Sequence, residues 1–348
     1  MFSRRAGAGA TVAPIRDPEN QYIMPAEESA HEGTWLQWPH DYGWDPHHTD
    51  RYDDIWIAMT KALHTGEKVH LIVFNLFEQF RVQKLLEKNG VNENFDFRIM
   101  ETDDVWVRDN GPIFVLNQSK ELVVSDWRFN GWGGKEDYWW SNGVPAKVAQ
   151  ALDIRTHAIP MVLEGGSIEV DGRGTLLAKK SSILNANRNP GWAQKDVEGY
   201  FRRYLGTTNF IWLPGAKGGD ITDDHIDGTA RFANGDTIVT TERKDFETKR
   251  EYDILSKATD SSGTAYRIVT LPLTSTKIKA VGDYGTYVNF YVGNEVVLVP
   301  AFDDANDSVA ASILQSVFPG RRVVLINVVQ LYKDGGLIHC VTQQQPAA

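Results

Sequence analysis

Residues 307–346 read DSVAASILQSVFPGRRVVLINVVQLYKDGGLIHCVTQQQP. Val309, Ile313, Leu314 and Val317 recur at helical spacing, which predicts a helix over 307–317. Pro319-Gly320 stops that helix, and the β-branched run Val323–Val329 predicts a strand. Behind Gly335-Gly336 comes a polar motif, Ile338-His339-Cys340. The same order of helix, break, apolar strand and polar motif recurs along the chain. Helices are predicted over 78–89, 144–152, 192–205 and 247–259. They precede strands over 95–100, 154–159, 209–213 and 267–273. An extra pair, helix 52–65 and strand 69–75, comes before the first.

The motifs that follow the five units contain Asp109, Glu164, His225, Asn289 and Cys340. The spacings between these anchors are 55, 61, 64 and 51 residues. Near-constant spacing of this size has the form of an internal repeat. Helix–strand alternation alone is common to most α/β chains. A closed ring of units would gather a cysteine, a histidine and three acids at one axis, whereas a linear array would spread them along a face.

The 348 residues carry 36 basic and 46 acidic side chains, a net charge of −10. An acidic surface argues against nucleic acid as the main partner and suits a cationic ligand. No run approaches the ~18 apolar residues of a membrane span. Residues 1–20 read as a flexible arm and 21–348 as a single catalytic domain. The arm has Arg4, Arg5 and Arg16, but Ala-Gly-Ala-Gly-Ala is too weakly apolar for a secretory signal. The expected compartment is the cytoplasm, and a homo-oligomer is compatible with the sequence. Cys340 is the only cysteine. That excludes internal disulfides and cysteine-based zinc clusters, and leaves a buried structural thiol or a nucleophile.

His225-Ile226-Asp227 alternates as in a strand, so both side chains would face one side. A carboxylate beside a histidine suits a general acid, although a hydrogen-bonded surface turn has the same residues. Asp109 follows Arg108 where a strand meets a turn, as a salt-bridged turn acid or as a pocket carboxylate with Trp106 lining the same pocket. Glu164 ends an apolar strand against Gly165-Gly166, as a turn acid or a site acid. The pairs Asp103-Asp104, Asp223-Asp224 and Asp303-Asp304 read as solvated loop charges. Together the set has a logic. A guanidinium is planar and offers five N–H donors, so two carboxylates can each grip an edge. A thiolate can then attack its carbon while a histidine protonates departing ammonia.

Met24–Glu27, Trp35–Pro39, Trp106–Pro112, Trp127–Gly134, Leu163–Ser167, Asn187–Pro190, His225–Asp227, Tyr287–Tyr291 and Ile338–Pro346 occur in order from about residue 21 to the end. In these segments the chain resembles the agmatine deiminase and Porphyromonas-type peptidylarginine deiminase family. The resemblance implies the pentein fold, a five-bladed α/β propeller of pseudo-repeats around a central active site. It implies Cys340 as nucleophile, His225 as general acid/base and Glu164 as the acid orienting it. Asp109 and Asp227 correspond to the guanidinium-binding carboxylates and Trp106 to an aromatic wall. Asn289, in the fourth motif, is expected among the substrate-binding residues. The implied reaction is hydrolytic deimination through a covalent cysteine intermediate, with no cofactor and no metal.

Two departures bear on the substrate. Asp223-Asp224-His225-Ile226-Asp227-Gly228 stands where such proteins commonly read Asp-Gly-His-Val-Asp-Asn, and Tyr332–Asp334 replaces a more glycine-rich stretch. Agmatine is the first choice, yielding N-carbamoylputrescine and ammonia on a route to putrescine. Peptidyl-arginine or another small guanidine is the alternative. A non-catalytic pentein, such as a ribosome anti-association factor, has no need of this constellation, and a zinc hydrolase lacks ligands.

Overall fold

The computed structural model describes residues 22–42, 48–242 and 246–348. The arm expected over residues 1–20 lies outside them. Among the described residues the strands form five separate sheets, and none closes on itself. Four of the sheets share one construction. A short strand pairs antiparallel with a second, and a helix then leads to a third strand parallel to the second.

In one such unit Ile113–Asn117 pairs with Leu122–Arg128, and helix Val144–Leu152 leads to Arg155–Val162; Tyr22–Ile23 adds a fourth strand. The next joins Ile168–Val170, Thr175–Lys179, helix Gln194–Leu205 and Asn209–Leu213. Another joins Ala230–Ala233, Thr237–Thr241, helix Phe246–Leu255 and Arg267–Leu271. The last joins Tyr291–Val292, Val296–Ala301, helix Asp307–Val317 and Arg322–Asn327.

The remaining sheet unites the two ends of the described chain. His31–Gln37, Lys68–Val73 and Phe95–Ile99 run parallel, linked by helices His48–Leu63 and Leu76–Lys88. Its antiparallel strand is Gln343–Pro346, from the tail. This strand is buried throughout although three of its residues are glutamines. Buried amides need partners. Gln345 Oε1 accepts from Trp35 Nε1 at 2.9 Å and Gln344 Oε1 from Arg108 Nη1 at 2.9 Å. The tail is thereby tied down, and Cys340 with it.

Helices also pack across units. Gln194–Leu205 lies on Tyr22–Ile23 of the preceding sheet, and Phe246–Leu255 on Asn209–Leu213. His48–Leu63 lies on the strands Val296–Ala301 and Arg322–Asn327. Trp56 and Met59 there share an apolar core with Leu298, Val299 and Phe318. Strands covered on both faces read as continuous apolar runs, and Val296–Ala301 is buried at every position. Val309 departs from its expected place: it is 45% exposed, and the buried stripe of its helix is Ala310, Leu314 and Val317. Among the described residues no helix is long and apolar enough to cross a membrane.

Candidate active site

The polar motifs occupy equivalent places. Each lies just before the first strand of an antiparallel pair. Asp109 is in a helical turn, Val107–Asn110, ahead of Ile113–Asn117. Glu164 precedes the 3-10 turn Gly165–Ser167, and His225 precedes the 3-10 turn Ile226–Gly228, which holds Asp227. Asn289 stands two residues before Tyr291–Val292, and Cys340 sits in the 3-10 turn His339–Val341. The strand expected through His225–Asp227 is therefore a turn, closed by Thr229 N–H donating to the Ile226 carbonyl at 2.9 Å. The two side chains still meet in one site.

They meet around Gly166. A Cβ there would stand 2.7 Å from His225 Nδ1, 2.8 Å from Asp109 Oδ1 and 3.0 Å from Asp227 Oδ2. Only glycine fits where three functional side chains converge on the backbone. Gly336 has a similar constraint, since its Cβ would fall 2.1 Å from the Trp106 ring. The double glycine before Cys340 thus lets the aromatic wall close on the cysteine loop.

Cys340 is partly exposed, on a cavity of about 250 Å3 that Trp106, Asp109 and Trp132 also line. Its Sγ lies 3.4 Å from Asn289 Nδ2 and 3.9 Å from Asp227 Oδ2. Asn289 Nδ2 also reaches the Asp227 carbonyl at 3.3 Å, and Asn289 Oδ1 accepts from the His339 N–H at 2.9 Å. Asn289 therefore fixes the cysteine turn against the Asp227 turn. Trp132 Nε1 donates to Asp109 Oδ2 at 2.9 Å, and the Gly166 N–H donates to Oδ1 at 3.1 Å.

His225 is buried among carboxylates. Nε2 is 3.0 Å from Glu164 Oε2, and Nδ1 is 3.6 Å from Asp109 Oδ1. Burial opposes its charge, but Asp109, Glu164 and Asp227 outweigh that and push its pKa up to about 9. Burial, with Asp227 and Glu164 adding to it, pushes Asp109 up to about 6 against the opposing pull of His225. Asp227 goes the other way. Burial would raise it, yet the His339 hydrogen bond and the positive charges of His339, His225 and Arg231 hold it below the usual carboxylate range. Burial, aided by Asp227 and Asp109, drives the Cys340 thiol well above its ordinary pKa. The surroundings thus favour a protonated thiol at Cys340 and a protonated ring at His225. An entering cation would reverse the electrostatic penalty on the thiolate.

All seven residues singled out from the sequence, Trp106, Asp109, Glu164, His225, Asp227, Asn289 and Cys340, come together here. Around them stands a buried set with unassigned roles. Arg188 donates to Glu164 Oε1 at 2.7 Å and to Asp223 Oδ2 at 2.7 Å. Arg108 turns away from Asp109 and donates to Gln344 and, at 3.2 Å, to Glu27 Oε2. His339, Arg231 and Glu169 complete the set. Trp132, Glu27 and Arg188 lie within the motifs quoted above, so position marked them although role did not. Asp103, Asp104 and Asp223 are buried rather than solvated. Asp103 Oδ2 accepts from the N–H groups of Trp140 and Ser141, both at 2.8 Å, and burial pushes Asp104 up to about 7. Asp303 is exposed, as expected. Among the described residues no group of three His, Cys, Asp or Glu is placed to hold a metal ion.

Residues 23–346 match the model of the Porphyromonas-type peptidyl-arginine deiminase family, and the chain belongs to that family. A Streptomyces coelicolor protein named "Putative agmatine deiminase" is 34% identical over 344 residues, covering 93% of this chain and 99% of its own. The structure of the agmatine deiminase of Enterococcus faecalis, described as catalysing its reaction, is similar with 27% identity and a TM-score of 0.82, covering 94% of this chain and 96% of that one. A C. jejuni agmatine deiminase, in a Cys-to-Ser variant with substrate bound, has 26% identity and a TM-score of 0.82, covering 93% and 96%. The fold is the α/β pentein fold.

Proposed function

We propose that this protein hydrolyses agmatine to N-carbamoylputrescine and ammonia through a covalent intermediate on Cys340. The observation that carries the reading is the convergence of Asp109, His225 and Asp227 around Gly166, with Cys340 Sγ 3.9 Å from Asp227. Relatives named agmatine deiminase support the choice of substrate. Among the described residues the cavity lining adds Asp103, Asp104, Glu136, Asp137 and Asp334, and no Lys or Arg. Such a wall favours a second cationic group and disfavours the α-carboxylate of free L-arginine.

Asp109 and Asp227 hold the guanidinium by its N–H edges, between Trp106 and Trp132. Its charge offsets the loss of the Cys340 proton, which leaves to solvent. The thiolate attacks the guanidinium carbon and a C–S bond forms. His225 Nδ1, left free for this while Glu164 holds Nε2, gives its proton to the departing nitrogen. The C–N bond breaks and ammonia leaves, with an amidino-thioether on Cys340. Neutral His225 then takes a proton from water as the oxygen adds to the same carbon. The C–S bond breaks, the thiolate returns, the proton on the added oxygen leaves to solvent, and the ureido product departs. The chemistry uses this chain's own groups and no cofactor.

The five units are inferred to close as a five-bladed ring, the arrangement that gathers one motif from each; helix His48–Leu63 packing on the last unit supports this. Residues 21–348 are then read as one catalytic domain, placed in the cytoplasm, where the reaction supplies putrescine synthesis. The test compares ammonia and ureido product from agmatine, L-arginine and an arginyl peptide. Agmatine should give a kcat/KM higher by on the order of a hundredfold, because the acidic wall disfavours the carboxylate of L-arginine and a peptide lacks the distal ammonium. Preference for the peptide would replace agmatine with peptidyl-arginine, and no ureido product from any of them would refute deimination.

A further inference from the structure

Of the two acids that face the substrate in the proposed reaction, one is pushed up and the other held down. Burial raises Asp109, while Asp227, equally enclosed, stays low. Asp227 has two neighbours that Asp109 lacks, the Arg231 charge and, in direct contact, the His339 ring. His339 Nδ1 lies 2.8 Å from Asp227 Oδ2, and the other ring nitrogen, Nε2, lies 2.8 Å from Glu27 Oε2. The ring is 1% exposed. Each ring nitrogen therefore meets a carboxylate oxygen within hydrogen-bond distance.

Glu27 is itself saturated. It accepts from the Val292 N–H at 2.9 Å, and Arg231 Nη2 is 2.8 Å away and Arg108 Nη2 3.2 Å. Glu169 faces the same ring at 3.9 Å and pairs with Arg231. Arg108 Nε donates to the His339 carbonyl at 3.3 Å, and Asn289 Oδ1 receives the His339 N–H. The residue beside the cysteine is thus anchored through its ring and its backbone.

We propose that His339 is a positioning residue that acts through Asp227. Its Nδ1–H bond to Oδ2 fixes the carboxylate in the site, and that bond keeps Asp227 ionised beside the guanidinium. Asp227 is the permanent counter-ion of the substrate and Asp109 the acid that can exchange its proton. This rests on the guanidine-deiminating reading of the site. A purely structural His339 would be sensitive to any loss of the ring. A positioning His339 distinguishes its two nitrogens.

The test measures agmatine binding by calorimetry in the Cys340→Ala background, where no turnover intrudes. His339→Asn places an amide N–H near the position of Nδ1 and should keep affinity within a few fold. His339→Gln places it near Nε2, leaves Asp227 without its donor, and should weaken agmatine by on the order of a hundredfold, as loss of a partner to a buried charge does. In His339→Gln the acid limb of binding should also move to higher pH, because Asp227 loses the bond that holds it low. Equal losses in the two variants, at matched thermal stability, would overturn the proposal. A measurement free of folding effects uses the Cys340→Ala parent alone. There the Asp227 carboxyl carbon, followed by NMR, should stay ionised down through pH ~4, the ordinary Asp range, and titrate only below it. Titration of that carbon at or above pH ~4 would place Asp227 among unassisted carboxylates and overturn the proposal. If agmatine does not bind the parent at all, the reading of the site fails and this inference with it.

Discussion

Replacing Cys340 with Ala is expected to abolish ammonia release from agmatine, a loss in kcat on the order of a million-fold, the size seen when a catalytic nucleophile is removed. No other side chain can take over. Cys340 is the one cysteine in the chain, and the hydroxyl of Thr222 on the cavity wall donates to Asp220 instead. Folding should survive. The hydrogen-bond partners of Sγ on the site side, Asn289 and Asp227, both have further partners, the His339 N–H for Asn289 and the His339 ring for Asp227. The variant should still bind agmatine, since the guanidinium is held by carboxylates. Assays of ammonia, with circular dichroism and calorimetry on the same preparation, separate these effects. Substantial turnover in a folded variant would remove Cys340 as nucleophile.

Asp227→Asn should have the next largest effect, a drop in kcat/KM on the order of a thousandfold, the scale of breaking a buried charge pair. The substitution keeps shape and removes charge. The substrate cation loses a counter-ion, and His339 faces an amide where it had a carboxylate. The direction of the pH response is fixed as well. Asp227 is one of the charges raising His225 and one of those raising Asp109. With it gone, both pKa values should fall. The alkaline limb, where His225 loses its proton, should move to lower pH, and the acid limb governed by Asp109 should move down too. Unchanged KM and kcat with unmoved limbs would contradict the placement of Asp227 against the substrate.

Much of this arrangement was legible in the residues because it repeats. Helical periodicity located six helices to within a few positions, and glycine-flanked polar motifs marked where the site residues lie. Val309 misled because an 11-residue helix leaves room for one apolar position outside the buried stripe. His225–Asp227 misled because a three-residue turn has no periodicity of its own, so alternation imitated a strand. The buried ion pairs were hidden for another reason. Glu27 and His339 are 312 residues apart, and Arg188 and Asp223 are 35 apart. Acids such as Asp223 read as solvated until the fold brings an arginine to them. The net charge of −10 suggests a cationic ligand, but in the proposed reaction the work falls to three acids around one histidine rather than to the surface field.

The covalent step is open to direct observation. Wild-type enzyme mixed with excess agmatine, quenched in acid during turnover and weighed intact, should carry one adduct with the mass of agmatine less ammonia. Peptide mapping should place it on Cys340. Quenched enzyme that turns over agmatine yet shows no adduct at any quench time, or carries it on another residue, would contradict nucleophilic catalysis by Cys340.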